Sequence, residues 1–274
     1  MTDRAAHTVE SSTAKTRISP TVQGPEGTGG PTRIALLTDV HGNLPAFEAV
    51  LADVDSSGVD AIWFLGDLVG YGAQPDECVQ LAAERCDLCL AGNHDLGVLD
   101  RIDIGDFSPA AAKAALWTRE HSSEETLAFL NALEPLQLGG PIGVYHASPR
   151  DPIWEYVLSD MQAEACMDVM PARVGAIGHS HVALRFTRAN GGDVVGGQVE
   201  GGSILDLSRG DWLVNPGSVG QPRDGDSRAA WMLLDVQGWT GEWRRVEYPI
   251  DEAAQAIVDA GLPRSLGERL YLGQ

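Results

Sequence analysis

From Arg33 onward the chain alternates short, wholly apolar runs with longer stretches whose apolar residues recur at helical spacing. RIALLTD (33–39), AIWFLGD (61–67) and DLCLAG (87–92) run apolar into a Gly or Asp turn. Runs of that length and texture predict strands buried on both faces. Between them, LPAFEAVLADVDSS (44–57) and PDECVQLAAE (75–84) predict helices, with Asn43 placed to cap the first and Pro75 in the first turn of the second. Strand, helix, strand, helix, strand implies a parallel sheet with right-handed crossovers.

PIGVYHA (141–147) and RVGAIGH (173–179) continue the series as strands, with a helix near 160–170 between them. From Val182 the texture changes to short runs broken by Gly-rich turns: VALRFTR, VVGGQVE, SILDL, WLVNPGS, AAWMLLDV and WRRVEY. These predict a second, antiparallel sheet packed on the first, closed by a helix over DEAAQAIVDAG (251–261). Residues 108–133 read as two amphipathic helices, starting at Ser108-Pro109 and at Ser122 before Glu125. That segment follows GNHD in the chain and is either a lid over a site or a packing hairpin. Trp117 and His121, four apart on one face, could stack on a nucleobase, although core packing for Trp117 and a surface position for His121 are the simpler reading.

Composition separates a tail from a domain. Residues 1–32 are rich in Ser, Thr, Gly and Pro with no periodicity, a mixture that cannot bury enough surface to offset its ordering entropy. Residues 33–274 of a chain that is 43% apolar suffice for one domain with a sizeable core. The formal charge of −20 supplies no basic face, so large nucleic acids are not expected partners. No long apolar run or leader-like start is present, so a cytoplasmic protein with no membrane partner is expected. The sequence specifies no oligomeric state. Cys86 and Cys89 form a CxxC without a second pair or a nearby His, which reads as buried structural thiols.

The candidate chemistry sits at the strand ends. DVHGN (39–43), GD (66–67), GNHD (92–95), YH (145–146) and GHSH (178–181) contain five of the seven histidines. Each block falls where an apolar strand runs into a turn, at the edge where α/β sheets present functional groups. In an extended segment residues i and i+2 point the same way, so Asp39 with His41 and His179 with His181 can each converge on one locus. Imidazole and oxygen donors without thiolate suit Mn²⁺, Fe or Zn²⁺.

In that order the blocks DxH, GD, GNH[DE], H and GHxH make the chain resemble the calcineurin-like metallophosphoesterase superfamily over roughly residues 33–248. LGDLVGYGAQPDECV (65–79) and NPGSVGQPRD (215–224) resemble its compact bacterial branch. The resemblance implies an α/β fold, a four-layer αββα sandwich of two mixed β-sheets flanked by helices. It implies one metal on Asp39, His41, Asp67 and His181, a second on Asp67, Asn93, His146 and His179, and Asp67 bridging through its two carboxylate oxygens. The implied cofactors are two divalent ions, Mn²⁺ first, with Fe, Zn²⁺, Ni²⁺ or Co²⁺ as alternatives. The implied activity is hydrolysis of phosphomonoesters or small phosphodiesters by a hydroxide held between the metals.

His94, next to the ligand Asn93, takes the implied role of general acid or charge stabiliser, with Asp95 orienting its ring. A structural His–Asp pair is the alternative. Asn93, His94 and Arg223 are the implied substrate contacts, and Asn215 and Ser218 would shape the turn beside Arg223. Arg223 could instead pair with Asp224 or Asp226 at the surface, and Tyr71 could line the mouth of the site or stabilise its turn. A protein phosphatase or dinucleoside polyphosphate hydrolase would use the same centre, but GDLVGYG lacks the Arg of the protein phosphatases' GDxVDRG pattern. A non-catalytic scaffold on this fold remains the third reading.

Overall fold

The computed structural model describes residues 30–138, 140–189 and 191–274. The expected tail over 1–32 lies outside the described residues up to residue 29, and Thr32 is already tied by its amide and hydroxyl to Asp60. Strand β1 (Arg33–Leu37), helix α1 (Leu44–Ser56), β2 (Ala61–Phe64), α2 (Pro75–Arg85), β3 (Leu88–Cys89) and α3 (Asn93–Val98) follow in the predicted alternation. Asn43 caps α1 by accepting from the Ala46 amide, and Pro75 opens α2. A 3₁₀ turn (Ile104–Asp106) leads to α4 (Pro109–His121) and α5 (Glu124–Asn131). Ser108 caps α4 as expected, but α5 is capped one residue later than expected, by Ser123.

Then come β4 (Leu136–Gln137), β5 (Ile142–Tyr145), α6 (Asp160–Met167), β6 (Val174–Ala176), β7 (Ala183–Arg188), β8 (Val194–Gln198), β9 (Ile204–Asp206) and β10 (Asp211–Pro216). The chain closes with β11 (Ala229–Asp235), β12 (Thr240–Val246), α7 (Ile250–Asp259), α8 (Arg264–Glu268) and a final 3₁₀ turn (Arg269–Tyr271). Among the described residues no helix is long and apolar enough to cross a membrane.

Both sheets are mixed, in the orders β3-β2-β1-β11-β12-β9 and β4-β5-β6-β10-β7-β8. This departs from the expected division into an early parallel and a late antiparallel sheet. β11 pairs antiparallel with β1, and the β12 and β9 strands follow it, so half of the late strands complete the first sheet. β5, β6 and β10 run parallel inside the second. A strand's apolar pattern records how many of its faces are covered, not which neighbour it pairs with, and β1 is covered on both faces. Ile34 and Leu36 face Val144, Val174, Val214 and Met232 between the sheets, while Ala35 and Leu37 pack outward with Phe47 and Val50 of α1. The outer face of the second sheet is covered by Ala163, Cys166 and Met167 of α6 against Phe186 and Leu213. Helix, sheet, sheet, helix is thus the layer order, an αββα sandwich.

The 108–133 segment packs Ala111, Ala114, Ala115 and Leu130 into the helix-side core, and Asp76 of α2 accepts from the Ser123 amide. Only its first turn, at Ser108 and Ala111, reaches the cleft described below. Trp117 is half-buried against that core and stacks on exposed His121, with centroids 4.3 Å apart. Cys78 and Cys166 are buried, and Cys86 and Cys89 are half-buried free thiols.

Candidate metal centre

Six strands from the two sheets, β1, β2, β3, β5, β6 and β10, end at one edge, and the chain leaving them carries Asp39, Asp67, Asn93, His146, His179 with His181, and Arg223 respectively. The loops are laced together beyond the strands. Asp39 and His41 donate their amides to Gly66 O and Asp67 O at 2.9 and 3.0 Å, Gly178 donates to His146 O at 2.7 Å, and Gly220 donates to Asp39 O at 2.9 Å.

The structure brings Asp39, His41, Asp67 and His181 together, and Asp67 again with His146 and His179, each set with donor atoms within 4.8 Å of one another. Asn93 joins the second group through Oδ1, 3.1 Å from His146 Nε2. The route to this convergence differs from the one expected. Asp39, His41, Asp67, His179 and His181 all have φ between 52° and 62°, so they are not extended residues projecting from one strand face. They are left-handed turn residues beyond the strand ends. Each costs of order 1–3 kcal/mol of backbone strain, which persists only where surrounding structure over-determines it.

Hydrogen bonds to backbone carbonyls select the imidazole tautomers. His41 Nδ1 donates to Val69 O at 3.0 Å, His146 Nδ1 to Leu65 O at 3.0 Å and His181 Nδ1 to Gln221 O at 2.7 Å. A carbonyl can only accept, so the proton sits on Nδ1 and the Nε2 lone pair faces the locus. His179 is inverted: its Nε2 donates to Trp154 O at 3.3 Å, which leaves Nδ1 as the free donor atom. Asp67 is divided likewise. Oδ1 accepts from the His94 amide at the start of α3, at 2.8 Å, while Oδ2 lies 3.5 Å from His41 Nε2 and 3.6 Å from His146 Nε2. One oxygen, rather than the two expected, therefore faces both donor sets.

These residues fit cations better than they fit each other. His41 Nε2 and His181 Nε2 point lone pair to lone pair at 3.1 Å, and His146 Nε2 meets the Asn93 carbonyl oxygen in the same way. Asp39 Oδ1 and Asp67 Oδ2 are buried without any hydrogen-bond donor, on side chains 0% and 1% exposed. Unpaired buried acceptors are costly, and a cation between them removes the conflict. Gly92 sits where a Cβ would lie 2.0 Å from Asp67 Oδ1, so that carboxylate can be cradled only by glycine.

Burial sets the charge state. It pushes the Asp39 carboxyl up to about 7, and Asp67, with the carboxylates of Asp95 and Asp39 adding to burial, well above the ordinary range. It holds His41, His146 and His181 well below their usual value and His179 down to about 4. A divalent cation binds the deprotonated forms, so near pH 6 it must displace carboxyl protons that are largely gone from Asp39 near pH 8. We expect the Mn²⁺-induced rise in Tm to be larger near pH 8 than near pH 6 in differential scanning calorimetry against an EDTA control. A rise that shrinks with pH would contradict this ionisation.

Asp95 does not orient His94. Its Oδ2 accepts from the amides of Gly92 and Asp67, at 2.8 and 2.9 Å, and its Oδ1 from Val69 at 3.1 Å. Consecutive helical residues point about 100° apart, which sends Asp95 under the Asp67 loop and His94 into the cleft. The His94 ring is held by Tyr71, Phe107 and His41, at centroid distances of 4.3, 4.6 and 4.8 Å, and its Nδ1 is buried without a partner against Gly70. Burial and the Arg223 charge keep it well below its usual pKa, hence neutral.

Arg223 does not pair with Asp224 or Asp226. Those carboxylates go to Arg245 and Arg228, and Arg223 donates to Gln221 Oε1 at 3.0 Å and the Tyr71 hydroxyl at 3.3 Å. Asn215 braces its turn by bonding Gly178 O, Ser180 Oγ and the Gly217 amide, and Ser218 Oγ donates to Asp39 O. A cleft of about 350 Å³ opens over the centre, lined by Tyr71, Asn93, His94, His179 and Arg223 on the inner side. Phe107, Trp154, Tyr156 and Arg269 also line it, beside Asp106 and the first turn of α4, and the motif blocks do not reach any of them. WEY (154–156), in the loop after β5, is the signal that could have found two: aromatics beyond the carboxyl end of a parallel strand.

A sequence model of the calcineurin-like phosphoesterase superfamily domain matches residues 32–238. The chain belongs to that superfamily. It is similar to an uncharacterized protein of Methanocaldococcus jannaschii, at 40% identity over 249 residues, covering 88% of this chain and 98% of that one. The crystal structure of a metallophosphoesterase from Sphaerobacter thermophilus superposes with a TM-score of 0.81 at 38% identity, covering 89% of this chain and 100% of that one. A hypothetical protein from Pyrococcus horikoshii shares the fold, with a TM-score of 0.70 at 20% identity over 88% of this chain and 98% of its own. As a metallophosphoesterase the chain is a hydrolase of phosphoric ester bonds, and its buried His and Asp cluster is suited to divalent metal.

Proposed function

We propose that the protein hydrolyses phosphomonoesters or small phosphodiesters at a centre of two divalent ions, Mn²⁺ in the first instance. The observation that carries this reading is Asp67 Oδ2, unpartnered, buried and shared between two donor sets, of which Asn93 and His179 line the cleft. Asp39, His41, Asp67 and His181 would hold one ion, and Asp67, Asn93, His146 and His179 the other. When bound, such ions lower the pKa of water toward ~7 and neutralise phosphoryl oxygens.

The chain's own residues supply the rest. Arg223 projects its guanidinium beside the donor clusters, where a bidentate fork orients phosphate oxygens. Neutral His94 stands at the cleft wall, and the negative charge of a bound ester raises its proton affinity, so that it gains the proton that a leaving oxygen needs. Tyr71 and Phe107 keep its ring oriented and dry. A cleft of 350 Å³ suits a small ester rather than a phosphorylated protein surface. The same chemistry makes the partner a small phosphoester, not a large nucleic acid, and a cytoplasmic setting fits its free thiols.

Assay of chelated and metal-reconstituted protein against bis-p-nitrophenyl phosphate, p-nitrophenyl phosphate, cyclic nucleotides and diadenosine polyphosphates tests this, with metal content by plasma mass spectrometry. The expected result is no turnover after chelation, recovery with Mn²⁺, and two ions per chain. Hydrolysis that survives chelation, or none with any divalent ion, overturns it.

A further inference from the structure

The outer half of the cleft has chemistry of its own. The superfamily match ends at residue 238, yet the chain beyond it folds as β12, α7, α8 and the final 3₁₀ turn and returns Arg269 to the cleft wall. Arg269 is half-buried there, its Nε donating to the Gln274 carbonyl, and burial first, then the nearby Arg223 charge, disfavours its own charge. Among the described residues no Asp or Glu side chain lies within ion-pair distance of either guanidinium, and Arg223 Nε is buried without a partner.

Among the described residues Arg101, Arg173, Arg185, Arg209 and Arg264 also lack an Asp or Glu partner, but Arg223 and Arg269 are the two arginines that line the cleft. Arg85, Arg119, Arg188, Arg228, Arg244 and Arg245 each find a carboxylate. Two guanidiniums converging on a cavity repel each other, and an anion between them and the metal centre would remove the conflict. Asp106 is the one carboxylate among the cleft's lining residues outside the ligand clusters.

The facing wall is aromatic. Phe107 and Trp154 meet edge to face at 5.7 Å, and Tyr156, 43% exposed, stacks on His179 at 4.1 Å. Half-exposed ring surface on a cleft wall offers a stacking platform to a planar ligand.

We infer that the outer cleft is a leaving-group subsite for an aromatic moiety carrying a second anionic group, with the ring against Phe107, Trp154 and Tyr156 and the anion on Arg269. Nucleotides with more than one phosphate have this chemistry, as do aryl bisphosphates. The inference rests on the phosphoesterase reading for the first phosphate, while Arg269 determines which esters are preferred.

Phosphonates separate binding from turnover, because ester hydrolysis leaves a P–C bond intact. Calorimetry on Mn²⁺-loaded protein should show 1,4-phenylenediphosphonate binding about tenfold or more tighter than phenylphosphonate. Arg269→Ala should bring that ratio close to one, Arg269→Lys should recover part of it, and Trp154→Ala should weaken both ligands by a similar factor. Phenyl phosphate and 1,4-phenylene bisphosphate should show the same dependence of their kcat/KM ratio on Arg269.

A ratio near one in the wild type, or one indifferent to Arg269→Ala in a variant whose Tm is retained, overturns the subsite. An Arg269-dependent ratio without release of phosphate from either ester would leave the subsite standing and sink the phosphoesterase reading instead. Ester hydrolysis with an indifferent ratio would do the reverse.

Discussion

Asp67→Asn is expected to lower kcat/KM for bis-p-nitrophenyl phosphate by at least a thousandfold, about 4 kcal/mol of transition-state stabilisation. Asp67 Oδ1 is committed to the His94 amide, so Oδ2 alone serves both donor sets. An amide at this position has two outcomes, both adverse. With its oxygen kept on the His94 amide, the NH₂ points at His41 and His146 and repels a cation; with the amide reversed, NH₂ faces the His94 N–H and α3 loses its anchor. Either way the negative charge that both donor sets share is gone, and cation binding at both weakens together. Plasma mass spectrometry should show fewer than two ions per chain beside the lost turnover. A variant with full metal content and undiminished hydrolysis would remove Asp67 from its shared position.

His94→Ala is the second large effect, a fall in kcat of roughly 10²–10⁴-fold with metal content unchanged. Its ring belongs to neither donor set, so its loss leaves the ligands in place. Leaving-group dependence adds a sharper criterion. Departing p-nitrophenolate is a weak base and needs little protonation, whereas an alkoxide needs a proton in the transition state. The deficit should therefore be smaller on p-nitrophenyl esters than on alkyl esters. Equal deficits would leave His94 as a charge stabiliser and remove the proton transfer; loss of metal would make it a ligand.

The contrast between Asp95 and Asp39 shows where the sequence is legible. Asp39, His41, Asp67, Asn93, His146, His179 and His181 were identifiable because metal chemistry restricts the side chains that can occupy such positions, and their blocks interrupt apolar strands. Asp95 stands beside His94 in the chain, but its carboxylate is taken up by three backbone amides of the turns holding Asp67 and Gly92. Nothing in the order of letters distinguishes an acid that serves a neighbouring ring from one that serves distant backbone. The turn geometry was hidden for the same reason. A left-handed φ at five candidate ligands is imposed by loops locking across two sheets, which local spacing does not record.

What the sequence determined by itself was the alternation of strands and helices, the caps of α1 and α4 and the identity of the metal-ligand candidates, because period, capping and donor chemistry are local properties. The tertiary structure decided which strands share a sheet, placing β11 beside β1, which nitrogen each imidazole offers, that one oxygen of Asp67 faces both sets, and that Arg269 reaches the cleft. Those are long-range choices among partners that look alike along the chain, and packing and hydrogen bonding select between them only once the two sheets close on each other.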